Sequence, residues 1–178
     1  MDYQLGKSSA KKGFSFVELV LSVGLVLILV GVAVLAVNPL ERLKQGRDKK
    51  RLADFAQVKA AVDAALSEGS SLATTFDVPS STVGVEVTTK TDGSGWVSIN
   101  LGDGIAELPV DPLNGKTYTD VLGSSVLGEY QFISDGTYYI LRTHLEAEVN
   151  KRRYAEDGND NSWYEAGSAP GMSTYFGL

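Results

Sequence analysis

Residues 14–37 read FSFVELVLSVGLVLILVGVAVLAV. These 24 positions hold a single charge, Glu18. As a helix the run is about 36 Å long, enough to cross a hydrocarbon core of ~30 Å with some tilt. An ordinary secretory signal has an apolar stretch of roughly 7–15 residues and a small-x-small cleavage site after it. This run is longer, and Val34-Leu35-Ala36 matches such a site only weakly. The reading is therefore a transmembrane helix, which excludes a plain cytosolic enzyme. The flanks disagree about its direction. Lys7, Lys11 and Lys12 precede the run and favour a cytoplasmic N-terminal side, whereas the basic cluster from Arg42 to Arg51 argues the other way. The short N-terminal flank weighs more, because the first helix end usually dominates topology. The rest of the chain is then extracytoplasmic.

Glu18 sits five residues into the apolar run. A charged carboxylate near a bilayer centre costs roughly 2.5–3.5 kcal/mol on insertion scales, and such a residue is by default functional, with a partner to be named. One reading leaves Glu18 near enough to the interface to reach water or take a proton. The other gives it a cation inside the membrane. Residues 14–37 contain no Lys or Arg. A cut before Phe14 would create a positive amine.

The residues around that position are Lys11-Lys12-Gly13-Phe14-Ser15-Phe16-Val17-Glu18-Leu19. They resemble the prepilin signature of type IV pilins and type II secretion pseudopilins: a short basic leader, Gly at the cut, Phe next, Glu at the fifth position and an unbroken apolar helix. Ser15 and Phe16 stand where that family commonly has Thr and Leu. The resemblance implies that prepilin peptidase removes residues 1–13 on the cytoplasmic side and methylates the Phe14 amine. Glu18 of one copy would then pair with the Phe14 amine of a neighbour in a helical filament. It also implies an assembly platform and a partner ATPase that extract the subunit from the cytoplasmic membrane. Physical chemistry is compatible with this. Gly13 lets a protease approach the backbone closely, and stripping one partner from a buried ion pair costs ~3–5 kcal/mol, so the pair would select register. Phe14 and Glu18 are also four apart on one helix, which leaves a pair within one chain open.

Charge divides the remainder. The chain sums to −6, but residues 38–66 carry +3 and residues 67–178 carry −10. So acidic a distal part is a poor phosphate-binding surface, and no nucleic-acid partner is expected. There is no Cys, hence no disulfide and no thiolate metal site.

Pro39 predicts a kink or break after the apolar run. A helix then resumes over 40–66. Leu40 and Leu43 open an apolar stripe, interrupted at Arg47, that recurs through Leu52, Phe55, Val58, Val62 and Leu66, with Asp48, Arg51, Asp54 and Asp63 off it. The cations Arg42, Lys44, Arg47, Lys49, Lys50 and Arg51 have two readings: a solvated face near lipid head groups, or a face that pairs with acidic surfaces of adjacent copies. Residues 67–81 are loop-like. Strands are expected at Val83–Val87, at Trp96–Leu101 and on either side of Asp135-Gly136, over 130–134 and 137–145, with 102–129 irregular and a turn at Asp111–Gly115. The fold class is α+β: a long N-terminal helix whose first half is transmembrane and whose second half packs on a small antiparallel sheet, a plan similar to the pilin head. The division is a leader over 1–13, the apolar helix over 14–37, an amphipathic half over 38–67 and a β-rich head with a C-terminal loop over 68–178.

Asp157, Asn159 and Asn161 match the first three ligand positions of a calcium loop, but Ser162 and Ser168 replace its Gly and its final Glu. The segment reads either as a solvated acidic turn or as a calcium clamp, with Asp111 or Asp135 available to complete the shell. Some type II secretion major pseudopilins are similar in using calcium here. His144 is the only histidine and falls in a strand pattern, which favours a packed or surface side chain over a base. No G-x-S-x-G, H-E-x-x-H or phosphate loop occurs. The expectation is a non-enzymatic filament subunit. Its rival is a monomeric, single-pass, membrane-anchored binding domain.

Overall fold

Helix α1 (Phe16–Val37) is apolar on every side apart from Glu18, Ser22 and two glycines. A helix that is hydrophobic all round belongs either in a large core or in a membrane. Here every side chain described along it is exposed, and none is covered by the chain's own atoms. Its 22 residues span about 33 Å. It is long and apolar enough to cross a membrane. The structure is a computed structural model and describes residues 13–75, 89–102, 104–158, 161–169, 171–172 and 176–177. Two units form, Met1–Pro39 and Leu40–Leu178.

The break expected at Pro39 falls on Asn38, the single non-helical residue after α1, at φ 45 and ψ 72. Asn tolerates this left-handed conformation better than most residues. Pro39 then opens helix α2 (Pro39–Ser67), where its missing N–H would have had no helical partner.

The second unit is an α+β head, as the sequence predicts. Strands β1 (Thr74–Thr75), β4 (Gln131–Asp135), β5 (Tyr139–Thr143) and β6 (Tyr164–Gly167) form one antiparallel sheet in the order β1-β4-β5-β6. β2 (Thr117–Thr119) and β3 (Ser125–Leu127) form a separate hairpin. The Asp135-Gly136 turn joins β4 to β5, with Ser134 opposite Tyr139. The Asp135 carboxylate accepts the Thr137 and Tyr138 N–H groups at 2.8 and 2.7 Å, and Gly136 supplies the positive φ of +90.

Alternation along β4 and β5 sorts the core. Phe132, Tyr139 and Leu141 face Phe55, Val58, Ala61, Val62 and Ala65 of α2, and Ile133 and Ile140 form the other face with Ala169 and Met172. The packing stripe of α2 therefore starts at Phe55. Leu40 and Leu43, expected to open it, are 70% and 60% exposed.

Three expectations are corrected. Trp96–Leu101 is a core-filling loop with one isolated bridge, Asp92 to Asn100, instead of a strand. Its apolar residues Trp96, Val97, Ile99 and Leu101 are buried, and Trp96 donates its indole N–H to the Pro109 carbonyl at 3.0 Å. Residues 102–129, expected to be irregular, contain the β2–β3 hairpin. The C-terminal loop contains a 3₁₀ turn (Glu148–Asn150), a one-turn helix α3 (Arg153–Glu156) and strand β6, whose four residues are too short and too polar to stand out in an acidic segment. The strand expected at Val83–Val87 lies outside the described residues.

Candidate functional site

At the start of α1 the chain is extended through Ser15 (φ −74, ψ 145), and the helix begins at Phe16. The first helical hydrogen bond runs from the Leu19 N–H to the Ser15 carbonyl at 3.1 Å. Glu18 thereby takes the third position of the helix, facing its positive end. A carboxylate there is favoured by about 0.3–1 kcal/mol in exposed cases. Ser15-Phe16-Val17-Glu18 also has the spacing of a capping box, a signal that the transmembrane reading of this stretch passes over. The Ser15 side chain makes no capping bond, however. The Ser22 hydroxyl donates to the Glu18 carbonyl oxygen at 2.7 Å, so it does not engage the carboxylate. The Glu18 carboxylate makes no ion pair or hydrogen bond with any described residue. Phe14 is 80% exposed just before it. In the intact chain its nitrogen is a peptide N–H, and only cleavage after Gly13 would turn it into an amine. Lys11 and Lys12 lie outside the described residues.

No family model, curated protein or solved structure matches this chain.

The second arrangement is one the sequence did not reveal. Of the basic stretch, Arg47, Lys50 and Arg51 pair with carboxylates of their own chain, Lys50 with Asp54 at the surface and the two arginines within the head. Arg51 is fully buried, and its guanidinium holds Asp111 through Nε at 2.6 Å and Nη2 at 3.0 Å. Its Nη1 reaches Asp48 at 2.9 Å and Glu146 at 2.6 Å. The ring of Tyr118 lies 4.8 Å from the guanidinium carbon. Arg47 makes a two-pronged contact with Glu146 at 2.8 and 2.6 Å. Asp48 is closed off by further donors: the N–H groups of Glu146 and Ala147 and the Asn150 amide, between 2.7 and 3.1 Å.

Two cations thus face three carboxylates, and neutral N–H dipoles supply the remaining compensation. Burial opposes the charged form of Arg51, but the hydrogen bond to Asp111 and the surrounding negative charge raise its pKa above the ordinary value. Burial likewise pushes the Glu146 carboxyl up, and the hydrogen bonds from Arg47 and Arg51 outweigh it, holding Glu146 below the ordinary range. The result is a clamp that fastens α2 to the 111–114 turn and to the 144–150 segment. Only the Asp48–Arg51 spacing of three was visible beforehand.

Asp157 accepts the Glu165 N–H at 2.8 Å and Asn161 is exposed, while Asn159 lies outside the described residues. Asp111 is committed to Arg51, and Asp135 to its own turn. Among the described residues no three His, Cys, Asp or Glu side chains are placed to hold a metal. His144 is buried against Trp163, ring centroids 3.8 Å apart, with Asp120 3.8 Å from its Nδ1. Burial lowers its pKa to about 4 despite Asp120, so the imidazole is neutral at pH 7.

Proposed function

We propose that this chain is a structural subunit of a helical filament of the type IV pilin and pseudopilin class. In this reading it is made as a single-pass precursor in the cytoplasmic membrane, cut after Gly13 and N-methylated on Phe14 by a prepilin peptidase. Extraction is then driven by assembly-platform and ATPase partners, and the filament stands in the periplasm or outside the cell. Its helices bundle through α1 and display the acidic head. The chain's role is mechanical, with no substrate of its own.

The observation that carries the reading is the N-terminal end of α1. An uncovered helix, apolar apart from Ser22 and two glycines, bears one carboxylate with no partner in its own described chain, five residues after a glycine that follows two lysines. A second copy with a free Phe14 amine would satisfy that carboxylate in a low-dielectric site. The clamp at Arg51 supports the same reading in a different way: it couples α2 to the head through buried pairs, as a subunit pulled by its helix requires.

The test is the mature N-terminus, read by mass spectrometry of the protein purified from its native membrane or from sheared filaments. N-methyl-Phe14 is expected. Glu18→Ala should still insert in the membrane and still be processed, yet not enter filaments. An intact Met1, together with a Glu18→Ala variant that behaves as the parent does, would refute the filament and leave the monomeric membrane-anchored domain.

A further inference from the structure

The first turns of α2 are sorted by charge. Residues 40–53 contain two acidic side chains, Glu41 and Asp48, and both are engaged by the head: Glu41 accepts the Glu148 N–H at 2.9 Å and Asp48 lies in the buried clamp. Arg47 and Arg51 are likewise consumed by Glu146 and Asp111. Arg42 and Lys49, about two full turns apart, remain exposed with no ion pair among the described residues, and Lys50 is exposed beside them, paired with Asp54 at 3.3 Å. Leu40 and Leu43 are uncovered on the same turns. Gly46 lies between these residues with open space around it. Folding the head thus removes every negative charge from this stretch and leaves a cationic, leucine-bearing face. Arg42 follows the last residue of α1 by five positions and Lys49 by twelve.

We propose that this face of α2 docks on an anionic lipid surface, with Arg42, Lys49 and Lys50 over the head groups and Leu43 in the interface. Basic residues next to a membrane span are drawn to negative lipid surfaces, and neighbouring leucines add apolar burial at the boundary. The alternative cover, the acidic head of a second copy, offers negative charge but gives no role to the exposed leucines. The docking rests on α1 spanning a membrane and does not require a filament.

The chain has no cysteine, so Gly46→Cys places a single thiol at the centre of the face, where an added Cβ meets nothing within 4 Å. The full-length variant is labelled with an environment-sensitive fluorophore and reconstituted into vesicles of phosphatidylcholine, with or without about 30% phosphatidylglycerol. A blue shift, and quenching by a lipid-borne nitroxide, are expected only with phosphatidylglycerol, and should be reversed by about 0.5 M NaCl. Arg42→Gln combined with Lys49→Gln should lower the docked-to-free ratio roughly 25-fold, about 5-fold for each cation. Identical emission in the two lipid mixtures overturns the proposal. So does a signal that follows the protein-to-lipid ratio regardless of lipid charge, which would assign the face to a second copy. A chain that fails to float with the vesicles refutes the membrane span and the docking together, whereas one that floats with a water-exposed probe refutes the docking alone.

Discussion

Replacing Arg51 by methionine keeps most of the side-chain volume and removes the cation on which Asp111, Asp48 and Glu146 converge. Asp111 then keeps the Leu113 N–H as a donor, at 2.7 Å, but has no charge partner, and it is buried. Asp48 keeps its backbone and Asn150 donors, and Glu146 keeps Arg47. Asp111 therefore suffers most. Breaking one side of a buried pair costs ~3–5 kcal/mol, mainly through the stranded charge. For a unit of this size 1 kcal/mol corresponds to about 3 °C in Tm, so Arg51→Met should lower the Tm by roughly 9–15 °C.

The assay is thermal unfolding of the full chain in detergent, followed by Trp96, whose ring is buried in the head core. A pH series sharpens it. In the parent, Glu146 has a depressed pKa, so its contribution is complete above the ordinary carboxylate range and is lost as pH falls through the folded value. In the variant, acidification instead relieves stranded carboxylates by protonating them. The gap in Tm between parent and variant should narrow steadily from pH 7 towards pH 4. A loss under about 3 °C at pH 7, or a gap independent of pH, would refute the clamp as a source of stability.

His144 has a folded pKa of about 4, below its unfolded value, so the unfolded chain binds more protons between about pH 4 and 6.5. Stability should rise with pH through that window, by no more than about 3 kcal/mol, and His144→Gln should flatten the rise. As the single histidine, its imidazole NMR signals should not titrate above about pH 5, and a midpoint near 6.5 would show that it is not buried as described. Calcium at Asp157, Asn159 and Asn161 predicts a higher Tm at millimolar calcium that is abolished by Asp157→Ala and not reproduced by magnesium. No shift would assign the segment to the solvated acidic turn.

The sequence by itself determined the elements whose causes are local. Twenty-four nearly uncharged positions can only be a long apolar helix, Asn38-Pro39 must interrupt it, and Asp135-Gly136 must turn a hairpin, because each rests on composition or on backbone stereochemistry within a few residues. The Phe55-Val58-Val62 stripe was equally legible, since helical periodicity is a local property. Position 18 stood out because a carboxylate conflicts with its immediate neighbours. The tertiary structure alone decided what the second half of the helix does with its charges. Asp48 and Arg51 read as facing solvent or neighbouring copies because they lie off the apolar stripe. They are buried because Asp111 and Glu146, 60 and 95 residues beyond Arg51, arrive to complete the pairs. It also decided that Trp96–Leu101 fills the core as a loop: alternating apolar residues specify burial, whereas a strand needs a neighbouring strand with free N–H and C=O groups in register. Long-range pairing has no trace in local spacing, because a lone charge is written the same way whether water or a distant partner will compensate it.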